Sequence, residues 1–194
     1  LYDYGADRGD EVIIPALTFV ATGNAVFQAG FKPVFVDVKR ETLNIDVDKI
    51  EAVITKKTRA IMPVHLMGKP AGMDRIMAIA KKYHLYVVED AAEAHGAEYH
   101  GKKIGTFGHM AAFSLYAAHI ITTIEGGMVI TGDPAMAEAL RSLRNHGLVN
   151  KFEFRRIGFS AKMNEIEAAV GLGNIKIFSE ILGRRRRNLL YLID

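Results

Sequence analysis

"LYVVEDAA", residues 85–92, decides the fold of this chain. An unbroken apolar run leads into the acids Glu89 and Asp90, the pattern of a strand covered on both faces. It follows "AGMDRIMAIAKKYH" (71–84), which reads as a helix. The same pairing repeats upstream. "EVIIPAL" (11–17) reads as a strand and "FVATGNAVFQAG" (19–30) as a helix closed by Gly30. "KPVFVDV" (32–38) is again a strand, "DVDKIEAVIT" (46–55) a helix with Asp46 and Asp48 near its positive end, and "RAIMPVHL" (59–66) a strand. Strand then helix, repeated, predicts an α/β fold: a mostly parallel sheet with helices on both faces. Ligands of such sheets sit at the carboxyl ends of the strands. That draws attention to Pro15–Phe19, Asp37, Pro63–His65, Glu89–Glu93 and Ser114–His119.

The second half reads differently. Glycines punctuate short strand-like pieces over 101–116, and "GGMVIT" (126–131) is a strand. In "DPAMAEALRSLRNHG" (133–147), Asp133 caps a helix, Pro134 occupies its first turn and Gly147 closes the segment. Residues 163–193 read as a long helical stretch, kinked near Gly171 and Gly173. There are no repeats and no low-complexity linker. We expect a sheet core to about residue 150 and a helical segment over 151–194. Both ends read as cut, so a fragment of a larger domain is expected.

Composition narrows the function classes. The 194 residues are 49% apolar and 24% charged with net charge +3, enough for a core and no case for nucleic acid or a membrane surface. No cysteine is present, which removes disulfides, thiolate-held iron–sulfur clusters and Cys–zinc sites. No apolar run reaches 18 residues and no signal peptide is visible, so a cytoplasmic protein is the default expectation. His65 and His95 lack a second ligand at zinc-like spacing and read as groups lining or bracing a site rather than binding metal. The "RRRR" run (184–187) reads as a solvated helix face, without the interleaved aromatics of a nucleic-acid surface.

Five segments in order, "GDEVIIPALTFVATGNAV", "PVHLMGKPAGMDRIMAIAKKY", "VVEDAAEAHGA", "FSLYAAHIITTIEGG" and "LRNHG", resemble the DegT/DnrJ/EryC1/StrS family. The resemblance covers Gly9 to about Gly173. It implies the large domain of a fold-type I enzyme that uses pyridoxal phosphate (PLP) or pyridoxamine phosphate (PMP). It implies a nucleotide-linked keto sugar as substrate, glutamate as the usual amino donor, and a homodimer with sites between two subunits. The family's upstream phosphate loop and C-terminal small domain have no counterpart in these residues.

Residue by residue, the resemblance makes Asp90 the carboxylate that pairs with the pyridine nitrogen and preserves the electron sink. Phe19 matches the aromatic that stacks on the ring, and Ser114 a hydroxyl that binds the phosphate. Glu93 stands where most relatives carry glutamine against the ring oxygen. A carboxylate there would repel a phenolate unless one of them is protonated. Lys162 stands where relatives carry a basic residue near the substrate. Ser160 replaces the asparagine that reaches a neighbouring subunit.

Position 119 departs most. Ordinary members have there the lysine that holds PLP covalently, and imidazole cannot replace a primary amine in that bond. The 3-dehydratase branch of the family has a histidine, holds PMP without a covalent bond, and uses that histidine as a base. "SLYAAHI" is similar to it at Ser114, Tyr116, Ala118 and His119, and departs at Ala117 and Ile120. Free imidazole titrates near ~6.5, suited to proton transfer at neutral pH. Three readings follow: a PMP-dependent dehydratase, an aminotransferase despite His119, and a paralogue without catalysis.

Overall fold

The protein is described as a computed structural model over residues 1–193. Two compact units divide it, Leu1–Phe113 and Ser114–Asp194. The division falls earlier than residue 150, where the character of the sequence changes.

The first unit is the expected α/β layer. After a short 3-10 turn at Tyr2–Tyr4 come β1 (Glu11–Pro15), α1 (Val20–Gln28), β2 (Lys32–Val36), α2 (Val47–Ile50), β3 (Thr58–Ile61), α3 (Met73–Tyr83) and β4 (Tyr86–Asp90). A small antiparallel pair, β5 (Glu98–Tyr99) and β6 (Lys102–Lys103), precedes β7 (Met110–Ser114). Strands stand in the order β2-β1-β3-β4-β7. Each neighbouring pair among them is parallel, so all their carboxyl ends share one edge. Strand β1 is buried throughout, with Val12, Ile13 and Ile14 at 0–2% exposure, as its unalternating apolar run requires. Helix α3 buries Met73, Ile76, Ile79 and Ala80, an i, i+3, i+6, i+7 stripe that makes one face.

The expected helix over 46–55 is split into α2 and a 3-10 turn at Glu51–Val53, with Asp46 capping the Asp48 amide. The expected strand over 59–66 ends at Ile61, because Pro63 has no amide proton for a ladder; Val64 then makes one isolated bridge to Asp90.

The second unit holds β8 (Gly127–Ile130), α4 (Pro134–Arg144), the hairpin strands β9 (Leu148–Asn150) and β10 (Glu153–Phe154), α5 (Glu165–Lys176) and α6 (Phe178–Ile193). Asp133 caps α4 as expected, accepting from the Ala135 and Met136 amides. The long C-terminal helix does not kink at its glycines. Its break is at Ile177, while Gly171 and Gly173 both lie inside α5. Gly171 is buried, and a Cβ there would meet Thr123 Cγ2 at 2.7 Å. The glycine serves close packing rather than a bend.

Candidate functional site

At the carboxyl edge of the first unit's sheet, Asp90 ends β4. Its Oδ2 accepts a hydrogen bond from Thr22 Oγ1 at 2.8 Å, and its Oδ1 accepts the Ala92 amide at 3.2 Å. Thr22 lies in the first turn of α1 and is almost fully buried. Its own amide donates to the Phe19 carbonyl at 3.1 Å. Phe19 precedes the helix in an extended conformation and leaves its ring 76% exposed. An exposed aromatic face is the kind of surface on which a flat heterocycle stacks. Thr22, a residue without a motif of its own, therefore links the backbone at Phe19 to the Asp90 carboxylate. A threonine three positions into a helix carries no visible sign of a partner 68 residues away.

Glu89 alternates to the other face of β4 and is fully buried. Its Oε1 accepts the amides of Phe107 (2.8 Å) and Gly108 (2.7 Å). Its Oε2 accepts the Gly105 amide at 2.9 Å and meets His65 Nε2 at 3.2 Å. His65 Nδ1 accepts the Ala71 amide at 3.1 Å, so the proton of the neutral ring is on Nε2 and faces Glu89. Burial pushes the Glu89 carboxyl upward, but the bonds from His65, Gly108 and Gly105 outweigh it and hold the group below its ordinary range. His65 thus braces the site's floor, and its backbone amide donates to the Asp90 carbonyl at 3.0 Å. His95 is buried beside Phe113, ring centroids 5.2 Å apart.

Glu93 sits on the same edge and places Oε2 2.6 Å from the Met67 amide. The turn it holds has left-handed backbone at Met67 (φ 53°) and Gly68 (φ 77°). A Cβ on Gly68 would lie 2.9 Å from the Glu93 carbonyl oxygen, so only glycine permits this approach.

The second unit carries Ser114, His119 and Lys162. Ser114 Oγ accepts the Tyr116 amide at 3.2 Å, leaving its own proton to donate. The His119 amide donates to the Tyr116 carbonyl at 3.0 Å, and the two rings meet edge to face with centroids 5.9 Å apart. His119 Nδ1 is buried and has no hydrogen-bond partner among the described residues. Residues 115–126 contain no lysine. The loop is closed by Leu115 N–H to Gly126 O and Thr123 N–H to Leu115 O, each at 2.9 Å. Ile124 within it has φ 75°, a left-handed conformation that β-branched side chains resist. Lys162 Nζ lies 3.2 Å from Asn145 Oδ1 and 3.3 Å from His146 Nε2. With Arg141, Arg144 and Glu167 it lines an open cavity of about 920 Å³.

Taken unit by unit, the side chains have the chemistry that a PLP-type group needs. In the first unit, the exposed Phe19 and the doubly anchored Asp90 suit ring chemistry. In the second, Ser114 has a hydroxyl proton to donate to a phosphate, and position 119 offers a buried imidazole nitrogen without a hydrogen-bond partner among the described residues instead of an amine. Among the described residues, no group of three His, Cys, Asp or Glu side chains could hold a metal ion, and no helix is long and apolar enough to cross a membrane.

Comparison with known proteins gives the same lineage. GDP-perosamine synthase of Caulobacter vibrioides is 46% identical over 185 residues, covering 94% of this chain and 50% of that protein. dTDP-3-amino-3,4,6-trideoxy-alpha-D-glucose transaminase of Streptomyces venezuelae is 43% identical over 167 residues, covering 86% of this chain and 44% of the relative. An E. coli GDP-4-keto-6-deoxy-D-mannose-3-dehydratase, solved with bound hydrated PLP, superposes with a TM-score of 0.89 at 31% identity, covering 97% of this chain and 53% of that one. The chain thus spans about half the length of the curated relatives it matches, and its α/β layer is that of a fold-type I PLP-dependent enzyme. The sequence profile of these enzymes matches residues 1–194, and the chain belongs to the DegT/DnrJ/EryC1/StrS aminotransferase family.

Proposed function

We propose that the chain is the cofactor-binding part of an enzyme acting on a nucleotide-linked 4-keto sugar, with PMP held noncovalently and the sugar dehydrated at C3. The observation that carries this reading is His119, an imidazole with a buried nitrogen lacking a partner, in a loop with no lysine. The expected setting is a cytoplasmic homodimer that makes precursors for polysaccharides or deoxysugars, with glutamate as amino donor.

When bound, the cofactor supplies an electron sink for bond cleavage at the sugar. Asp90 would keep the ring nitrogen protonated by presenting a fixed carboxylate. Phe19 would cover one ring face, and Glu93 would border the ring's oxygen substituent. Ser114 would donate its hydroxyl proton to the phosphate, and Lys162 would offer a positive charge to the substrate. His119 would take the proton lost in the elimination and return it to the departing C3 hydroxyl, which leaves as water as the C3–O bond breaks, a role a neutral imidazole nitrogen can fill.

A second reading is favoured by the relatives. Those at 46% and 43% identity are named as a perosamine synthase and a transaminase, whereas the 3-dehydratase is 31% identical. Under it, amino transfer from glutamate persists with His119 in place. A paralogue without catalysis is the third outcome. Incubating the whole protein with PLP, glutamate and a nucleotide-linked 4-keto-6-deoxy sugar separates them by product mass. Loss of the C3 oxygen supports dehydration, an aminated sugar supports transfer, and an unchanged sugar supports the paralogue.

A further inference from the structure

We infer that Thr22 is a positioning residue that sets Asp90 against the cofactor ring, an inference resting on the reading above that Asp90 meets the pyridine nitrogen. Thr22 has one hydroxyl proton, and the Asp90 carboxylate 2.8 Å away can only accept it. Thr18 Oγ1 lies 2.8 Å from Thr22 Oγ1, so Thr18 must be the donor there. The result is a directed relay, Thr18 to Thr22 to Asp90, in which each bond polarises the next. Thr22 is only 4% exposed, which keeps water from competing for the carboxylate on that side.

The same residue holds the aromatic side of the site. Its amide bonds the Phe19 carbonyl, and Thr18 is Phe19's immediate neighbour in the chain. One buried threonine therefore registers the turn after β1 against the end of β4. With Ala92 on Oδ1 and Thr22 on Oδ2, the carboxylate cannot rotate freely, yet each oxygen keeps a further lone pair for a cationic N–H. A threonine that merely staples α1 to β4 would affect folding stability alone. A positioning residue also changes the electronic state of the bound ring.

The test compares Thr22→Val, which keeps the shape and removes the hydroxyl, with Thr22→Ser, which keeps the hydroxyl. Both are made in the whole protein and titrated with PLP, reading the dissociation constant and the pH at which the bound cofactor's absorbance changes. T22V should weaken PLP binding about tenfold, the scale of a hydrogen bond to a charged group, and move the spectral transition to lower pH. T22S should stay within about twofold of the parent, since its hydroxyl bond is retained. A T22V protein that is less stable but binds PLP with the parent's affinity and pH profile overturns the inference and leaves the functional reading intact. A parent protein that binds no PLP overturns both. If T22V does not fold, Thr18→Val, which removes only the donor to Thr22, should give the same shifts at smaller size; no shift overturns the inference.

Discussion

Glu89 and His65 face each other at 3.2 Å with neither side chain exposed to solvent, and each is tied by its remaining polar atoms to backbone amides. The carboxylate takes four donors in all, so it is a satisfied buried charge rather than a strained one. Removing it by Glu89→Ala leaves three amides and an imidazole N–H without an acceptor. We expect a loss of about 3–5 kcal/mol in urea unfolding, because four donors around a buried carboxylate lose their acceptor at about 1–3 kcal/mol each and relaxation recovers part of it. A loss below ~1 kcal/mol would mean that water replaces the carboxylate.

The same group dictates an acid response. Its folded-state value lies below the ordinary 4.5, so the stability it contributes is complete above that pH and is lost as pH falls through the lower folded value. Glu89→Gln cannot titrate and turns an NH2 toward two of the donors. The stability gap between parent and E89Q should therefore be widest near neutrality and narrow below pH 4.5. A gap constant from neutral pH to pH 3 would contradict it.

Two glycines of one helix should respond oppositely to alanine. Gly171→Ala places a Cβ 2.7 Å from Thr123 Cγ2 and should cost about 1–3 kcal/mol. Gly173→Ala meets nothing within 4 Å and should add about 0.5–1 kcal/mol through helix propensity. Thermal unfolding of the two variants reads the contrast directly.

Ile124 should be relieved by glycine. Its left-handed backbone costs about 1–2 kcal/mol for a β-branched residue, against ~0.5–1 kcal/mol of extra chain entropy in glycine. Ile124→Gly is expected to raise the melting temperature slightly and Ile124→Ala to leave it lower than I124G. Equal values for both variants would show that the loop relaxes without needing that conformation.

His119→Asn tests the base. Turnover should fall about 10²–10⁴-fold while the cofactor's dissociation constant changes little, because the imidazole moves a proton and does not anchor the ring. Loss of cofactor binding in step with activity would assign His119 to binding instead.

The layered sheet was legible because a strand covered on both faces carries an unalternating apolar run, as Val12–Ile14 of β1 do, and the helix after β8 because Asp133–Pro134 is an unambiguous helix start. The end of β3 before Pro63 and the break at Ile177 were less so. The first depends on a missing amide proton, and the second falls at Ile177, a residue that is no helix breaker. Asp90, Phe19, Ser114 and His119 could be named from motifs. Thr22 could not, since its bond spans 68 residues, and neither could the three amides that bind Glu89 or the one that binds Glu93, because any residue but proline supplies an amide.

The most direct test of noncovalent cofactor binding is the mass of the protein after loading with PLP, borohydride reduction and denaturation. We expect an unmodified polypeptide with the cofactor released, and a stable phosphopyridoxyl adduct only in His119→Lys. An adduct on a lysine of the parent protein would contradict the role assigned to His119.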